Sequence, residues 1–320
     1  MAINVNKFAK DFIAGVTVAI VALPLAIGFG ITSGATAASG LATAVIAGLI
    51  VSIIGGSRFQ ISGPTGAMTV ILVPIIQKFG ISIIPAVGFL AGIFLIIFSA
   101  LKAGNLVKRV PVEVLEGFTA GIAVIISLQQ LPLAFGVPKG NGSHTAEIAI
   151  NTIKNIINLP FHTATVLVLI LTLSIKFGLV RFIEIIGLRL YIPASFLAIL
   201  FATTFVQVFS LKVARIGDIP RNIFQLNFPH ISQINLLIIP ALSIAFLAAI
   251  ESLLSARIAD ELTNQETLKP NRELFGQGLG TLLASIVGGL PATGAIARTN
   301  VNVRSGAVTK WSGVIHAISI

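Results

Sequence analysis

The stretch Ala245–Ala307 reads AFLAAIESLLSARIAD, then a polar loop, then NRELFGQGLGTLLASIVGGLPATGAIARTNVNVRSGA. Glu251 lies inside an otherwise apolar run that is typical of a helix, and Arg298 follows a Pro-Ala-Thr-Gly-Ala break in the next apolar run. Removing a charge from water is costly unless a partner or ligand offsets that cost. A carboxylate and a guanidinium at membrane depth therefore indicate a functional site, and we expect that site to bind an anion.

Composition predicts an all-α polytopic membrane protein. The 320 residues are 55% hydrophobic and only 10% charged, and the mean hydropathy is +1.00. A water-soluble domain of this length cannot hide so much apolar surface. A spanning helix needs about 20 apolar residues, and the chain contains roughly ten such runs. The Lys and Arg residues between the runs favour one side, which predicts a multi-pass protein of the plasma (inner) membrane with a cytoplasmic N-terminus.

The residue composition and the distribution of charges also disfavour other classes of function. The net charge is +10, but the basic residues are scattered between apolar runs, so we expect no nucleic-acid binding. The chain has no cysteine, and its histidines lack metal-ligand spacing. No nucleophile–base pair can be identified either. We therefore expect neither an enzyme nor a metal site or cofactor. The four histidines are His144, His162, His230 and His316.

The apolar runs define a series of expected spans. The polar stretch 132–160 is predicted to be an external loop with surface helices. Two apolar pieces, at about 67–79 and about 294–303, are too short to cross a bilayer alone. Full spans are expected at about 11–30, 40–56, 81–101, 112–131, 162–186, 191–210, 235–259 and 273–289.

An internal repeat precedes the two short pieces. Ser62–Ala67 reads SGPTGA and Leu290–Ala295 reads LPATGA, so both contain Thr-Gly-Ala at the start of a short run. Paired interrupted segments in two halves of a chain are a sequence signature of a transporter's binding site. We expect the N-termini of the two short helices to meet near Gly66 and Gly294 and to present backbone N–H groups to an anion. The alternative is that Pro-Thr-Gly only kinks a continuous helix.

The ionisable residues give this site its expected chemistry. Arg298 lies one helical turn beyond Gly294, and its guanidinium suits carboxylate, bicarbonate or sulfate, although a purely structural pairing with Glu251 remains an alternative. Glu251 is the candidate for proton coupling, and Ser255, one turn later on the same face, is a candidate second polar ligand. A sodium site formed by Glu251, Ser255 and carbonyls near Gly294 is the second hypothesis, and the neighbouring guanidinium disfavours it.

At these residues the sequence resembles a known family. The segments DFIAGVTVAIVALPLAIGFGITSG, GGSRFQISGPTGAM, AAIESLLSARIADELT, ELFGQGLG and ATGAIARTNVNVRSGAVTKWSGVIHA are similar to the SulP family of sulfate-permease-like anion transporters, bacterial type. The resemblance implies a seven-plus-seven inverted-repeat fold of the UraA type, in which a core domain moves against a gate domain. It also implies an elevator-like mechanism, homodimers, and a cytoplasmic STAS domain after the last span.

The resemblance also implies site residues and domain boundaries. The coupling acid falls on Glu251. The whole of 1–320 is expected to be a partial transporter domain, with a core part at 11–103 and 235–320 and a gate part at 110–210. We expect the fold to be incomplete after about the eleventh span, with no STAS domain in this chain. The implied substrate-binding residues are Phe29, Thr65, Gly66, Ala67, Gly294, Ala295, Ile296 and Arg298.

The sequence therefore predicts a secondary active transporter that moves a small anion, either sulfate, bicarbonate or a C4-dicarboxylate, by proton-coupled, elevator-type alternating access. Three alternatives stay open. The first is a sodium-coupled anion symporter, and the second is a transport-incompetent fragment that acts only as a binding or assembly partner. The third is a nucleobase permease on the same fold, which would not need Arg298.

Overall fold

The computed structural model describes residues 5–106, 112–142, 145–160, 162–185, 194–217, 222–228 and 234–320. The predicted spans at 162–186 and 191–210 fall partly outside the described residues. His144 and His230 lie outside the described residues as well. Throughout the described ranges the chain is helical apart from loops and one short strand pair, as the composition predicts.

Thirteen α-helices and two strands occur in the described ranges. Helix α4 is preceded by a single 3-10 turn, and α7 continues through one π-helical turn into α8. The helices are α1 Val5–Thr32, α2 Ala37–Ile54, α3 Gly66–Phe79, α4 Ile84–Ala100, α5 Val112–Phe135, α6 Thr145–Asn158, α7 Thr163–Ser174, α8 Val180–Ile185, α9 Ala194–Val208, α10 Ile234–Thr263, α11 Pro270–Ile286, α12 Ile296–Arg304 and α13 Trp311–Ser319; the strands are β1 Ser62–Gly63 and β2 Thr293–Gly294.

Four described segments are long and apolar enough to cross a membrane, namely Asn6–Thr32, Ala37–Ile54, Ile81–Ala100 and Ile234–Thr263. The count rises to five if the bent pair Ala146–Asn158 and Thr163–Leu179 is one span. Helix α11 has 17 residues, the number expected for its span, but it lies three residues earlier in the chain than predicted, at Pro270–Ile286.

The chain divides into two compact units. Unit 1 comprises residues 1–116 and 218–320, and unit 2 comprises residues 117–217. In unit 1, α2 packs against α1 and α11, α11 packs against α4, and α13 packs against α1 and α2. Small residues make this close packing possible, because helices in lipid associate through tight van der Waals contact. A Cβ on Gly40 of α2 would collide with the backbone oxygen of Ala26 on α1.

Unit 2 contains most of α5 and all of α6–α9, and α7 packs against α9. Helix α6 lies within the polar stretch for which surface helices were predicted. It buries Ala149 and Thr152 while Ile150, Ile153 and Ile157 remain exposed. The hydroxyl of Thr152 accepts a hydrogen bond of 2.9 Å from the N–H of Gly140, so the preceding loop is attached to the buried face of this helix.

Candidate anion site

The two Thr-Gly-Ala segments meet as a strand pair. Strands β1 and β2 are antiparallel, with Ser62 opposite Gly294 and Gly63 opposite Thr293. Because α3 begins at Gly66 and α12 begins at Ile296, both helices start beside this pair. The kinked-helix alternative is wrong, since the backbone is extended before each helix. The pair brings the two repeat segments together, and the binding of an anion by the helix N-termini stays a prediction. The strand pairing itself was not expected from sequence, because two-residue strands have no detectable periodicity.

Thr65 organises the start of α3. Its hydroxyl oxygen accepts a hydrogen bond of 3.3 Å from the N–H of Met68, the usual role of a helix N-cap. The same hydroxyl donates to Oε2 of Glu251 at 3.2 Å. Gly66 and Ala67 are the first two residues of the helix, both are buried, and their N–H groups have no partner within the helix. This end of α3 therefore offers donors and a partial positive charge.

The start of α12 is arranged differently. The N–H of Gly294 donates to Oγ of Ser252 at 3.0 Å, and the N–H of Ala295 donates to the carbonyl of Ile61 at 2.9 Å. These two residues therefore use their N–H groups to attach the helix to α10 and to the first repeat. The first bond within α12 runs from the N–H of Thr299 to the carbonyl of Ala295, so the N–H groups of Ile296, Ala297 and Arg298 have no acceptor within the helix.

Arg298 is almost fully buried, with 1% of its surface exposed. Its Nη2 donates to the backbone oxygen of Pro64, and its Nη1 has no hydrogen-bond partner in the part of the chain that the structure describes. The guanidinium also lies against Gly63, where a Cβ would be 2.5 Å from Nη1. The side chain thus reaches across to the opposite repeat instead of folding back over its own helix. It forms no direct ion pair with Glu251, although the two charges interact electrostatically.

Glu251 is surrounded by hydroxyl groups. Thr65 donates to its carboxylate, and Thr293 on β2 is a second hydroxyl close to it. Each of the two Thr-Gly-Ala segments therefore places one threonine hydroxyl at the carboxylate of Glu251. The acid itself lies on α10 and belongs to neither segment. Its position is compatible with a proton-binding acid and with an oxygen-rich cation site.

Ser255 has a different partner from the one expected. Its hydroxyl forms a hydrogen bond of 3.0 Å with Oγ1 of Thr299 on α12, and that threonine oxygen accepts from the N–H of Ile61 at 3.1 Å. Ser255 is fully buried. The structure therefore uses this serine to join α10, α12 and the chain before β1, whereas Glu251 takes its hydrogen bond from Thr65.

Phe29 lies on the last turns of α1 and is half-buried. Its carbonyl accepts a hydrogen bond of 2.6 Å from the hydroxyl of Ser33, which in turn pairs with the hydroxyl of Thr69 on α3 at 2.9 Å. This contact attaches the turn of α1 that carries Phe29 to the first turns of α3.

Sequence reasoning missed several residues of the site. Ser252, Thr299 and Pro64 supply the contacts that hold the two repeats and α10 together. The sequence could have indicated Ser252 and Thr299, because both are small polar residues within apolar runs. Proline carries no such signal, because the group that binds Arg298 is a backbone carbonyl.

Two short helices that start from a strand pair between repeats, beside a buried acid and a buried guanidinium, are the arrangement typical of an inverted-repeat membrane transporter. The chain belongs to the Sulfate permease family, whose sequence profile matches residues 8–320. YvdB of Bacillus subtilis (strain 168) is 39% identical over 324 residues, which cover 99% of this chain and 60% of YvdB. The bicarbonate transporter BicA of Picosynechococcus sp. is 34% identical over 335 residues, which cover 98% of this chain and 57% of BicA.

Solved structures show the same fold. The transmembrane domain of a cyanobacterial bicarbonate transporter BicA superposes with a TM-score of 0.87 at 32% identity, covering 99% of this chain and 81% of that one. Murine Slc26a9 in the inward-facing state superposes with a TM-score of 0.85 at 16% identity, and the match covers 100% of this chain and 56% of Slc26a9. The fold is therefore the UraA-like inverted-repeat transporter fold, and the family is one of transporters, not enzymes. The chain spans less than two thirds of the length of the curated relatives named above.

Proposed function

We propose that this protein is a secondary active transporter that carries sulfate or bicarbonate across the plasma membrane. The observation that carries the proposal is the buried guanidinium of Arg298, whose Nη1 is unpartnered at the point where α3 and α12 begin. A fully buried charged donor without an acceptor is strongly unfavourable, and an anion that binds there relieves the cost.

The chemistry of the site favours an oxyanion. The N–H groups at the start of α3 and α12 and one guanidinium are all donors, and helix N-termini bind sulfate and phosphate groups in many proteins. A guanidinium binds planar or tetrahedral oxyanions through two parallel hydrogen bonds. The family's description names sulfate, and the two BicA relatives are named as bicarbonate transporters. These two anions are therefore the first substrates to test, with a C4-dicarboxylate as the third.

Glu251 is the proposed coupling group. Its carboxylate, when charged, repels an anion bound beside Arg298, so protonation of Glu251 favours anion binding. A proton would then travel with the anion. The alternative coupling ion is sodium, because the carboxylate and the hydroxyls of Thr65 and Thr293 present oxygen atoms of the kind that hard cations prefer.

We further propose that unit 1 acts as the moving core and that unit 2 belongs to the gate. All the site residues named above lie in unit 1, so that unit can carry the anion as one body during alternating access. On this proposal the transporter spans the plasma membrane with its N-terminus in the cytoplasm and assembles as a homodimer.

The test is uptake of labelled sulfate, bicarbonate and succinate into proteoliposomes that contain the protein expressed from its complete gene. Inward gradients of protons and of sodium are applied separately. Uptake of one anion that follows the proton gradient supports the proposal, and uptake that follows sodium identifies the alternative coupling ion. If folded protein moves none of the three anions under either gradient, the proposed function is incorrect.

A further inference from the structure

A second buried titratable side chain lies behind the anion site. His316 on α13 is fully buried, and both of its ring nitrogens lack a hydrogen-bond partner among the described residues. At least one imidazole nitrogen always carries a proton, so an unpartnered buried imidazole costs free energy comparable to a lost hydrogen bond. Such a residue needs an explanation, and nothing in the site described above uses it.

The packing on α2 places His316 one helical turn away from the Arg298 guanidinium. A Cβ on Gly48 of α2 would lie 3.7 Å from Cε1 of His316 and 3.3 Å from the carbonyl of Ser62. Arg298 Nη1 contacts Gly63, and a Cβ on that glycine would lie 3.4 Å from Cα of Ala44. Ala44 and Gly48 are four residues apart and share one face of the helix. The two side chains therefore lie side by side along the small-residue face of α2.

A column of hydrogen-bonded polar groups runs from the loop before α13 into that helix and ends at Ser312. The hydroxyl of Thr309 donates to the carboxylate of Asp11, and the hydroxyl of Ser312 donates to the carbonyl of Thr309 at 3.1 Å. Nδ2 of Asn302 donates to Oγ of Ser312 at 3.0 Å. His316 follows Ser312 by one helical turn.

Asn302 connects this column to Arg298. It follows Arg298 by one turn on α12, and its Oδ1 is also buried without a partner among the residues described here. Unpartnered polar atoms of Arg298 and Asn302 on α12 and of His316 on α13 therefore lie on two helices that the Asn302–Ser312 hydrogen bond joins.

The charges that face His316 are few. Helix α2 carries no titratable residue, and α1 contributes Asp11, held by the backbone N–H groups of Val308 and Thr309, after Lys7 and Lys10 on its first turns. Helix α12 contributes Arg298 and Arg304, and Lys310 precedes α13. Of these, Arg298 acts electrostatically on His316.

We propose that His316 is a proton-binding residue of the carrier, coupled to the anion through Arg298. This inference rests on the proposed anion-transport function. When the site is empty, burial away from water and the guanidinium charge one turn away both oppose a positive charge on His316. A bound anion neutralises the guanidinium and removes the second of these costs, so His316 takes up a proton from solution as the anion binds. By linkage, sulfate binds more tightly to the protein with a protonated His316.

Sulfate binding by the purified protein, measured calorimetrically from pH 8 to pH 5.5, tests the inference, because sulfate keeps its charge over that range. The affinity of the wild type for sulfate is expected to rise about tenfold or more as the pH falls. In His316→Gln the rise over the same pH range is expected to be smaller by a factor of about three or more. His162→Gln, at the exposed start of α7, is the matched control and should keep the whole rise. A His316→Gln variant with the wild-type pH profile would overturn the inference while leaving the proposed function intact.

A second measurement remains decisive if His316→Gln fails to fold. The protein has four histidines, so ¹⁵N-imidazole NMR of the wild type can follow each one. Sulfate at about pH 6 is expected to increase the protonated fraction of His316 and to leave that of His162 unchanged. Binding of sulfate without any change at His316 would refute the coupling. Absence of sulfate binding to folded wild type at every pH would instead refute the proposed function, and this inference with it.

Discussion

The hydroxyl of Thr65 donates a hydrogen bond of 3.2 Å to the carboxylate of Glu251, while the same oxygen accepts from the N–H of Met68 at 3.3 Å. One side chain thus caps α3 and fixes the acid of α10. Because of this shared contact, we expect a change in the charge of Glu251 to act on the first turn of α3, one of the two helices proposed to bind the anion.

Removing the Arg298 guanidinium should abolish oxyanion binding. Arg298→Ala is expected to weaken sulfate or bicarbonate binding by at least about 100-fold, since truncating a buried charged partner typically costs about 2–5 kcal/mol. Arg298→Lys should recover only part of the loss, because an ammonium cannot form two parallel hydrogen bonds. Titration calorimetry on purified protein measures both. Arg257→Ala, at an exposed pair with Glu261, is the control and should bind normally; wild-type affinity in Arg298→Ala would exclude the assigned pocket.

Neutralising Glu251 should preserve anion binding and weaken its pH dependence. A charged Glu251 repels the anion and a protonated one does not, so wild-type affinity should increase as the pH falls. Glu251→Gln resembles the protonated acid and is expected to bind at high pH about as tightly as wild type does at low pH, apart from the contribution of His316. Sulfate binding at pH 8 and pH 5.5 measures this effect. An affinity at pH 8 below that of wild type would contradict the coupling role.

The two roles of Thr65 can be separated by a matched pair of variants. Thr65→Val keeps the shape but removes the N-cap and the contact with Glu251, and should cost about 1 kcal/mol of stability as well as several-fold in anion affinity. Thr36 caps α2 in the same way, accepting from the N–H of Ser39 at 3.1 Å, but it lies outside the anion site. Thr36→Val should therefore lose similar stability and keep its affinity. Equal affinity losses in the two variants would show that capping alone matters.

A second buried acid, Glu273 on α11, should be essential for stability and not for anion binding. Its Oε2 accepts from the N–H groups of Gly56 at 2.7 Å and Ser57 at 2.9 Å, which closes the turn after α2. Glu273→Ala leaves both donors buried without an acceptor and is expected to cost about 2 kcal/mol or more. Thermal unfolding in detergent measures the loss. Glu261→Ala, at an exposed i,i+4 pair, should change stability by less than about 0.5 kcal/mol, and a similar melting temperature for the two variants would argue against the turn contact.

Much of the architecture follows from local sequence. The apolar runs, the two short pieces after Thr-Gly-Ala, and the ionisable Glu251 and Arg298 at membrane depth all follow from composition and spacing, because a bilayer restricts where polar groups can lie. Helix ends were less predictable, and α12 begins at Ile296, two residues later than expected. The cause is the strand pair, which takes Gly294 into an extended conformation.

The partners of the polar groups could not be predicted in the same way. Arg298 binds the carbonyl of Pro64, Ser255 binds Thr299, and His316 packs against Gly48 of α2. These contacts join residues far apart in the chain. A sequence pattern with a helical period identifies the face of one helix, but it carries no information on which face of another helix will oppose it.

The sequence by itself determined the class of molecule, a polytopic helical membrane protein with a repeated pair of short helices and two charges buried in it. Hydropathy and local backbone preferences depend on residues that are neighbours in the chain, so both can be inferred from the sequence alone. Only the tertiary structure decided which donors stay unpartnered and therefore available to an anion. That outcome depends on the close approach of α2, α3, α10, α12 and α13, which is set by packing over the whole of unit 1.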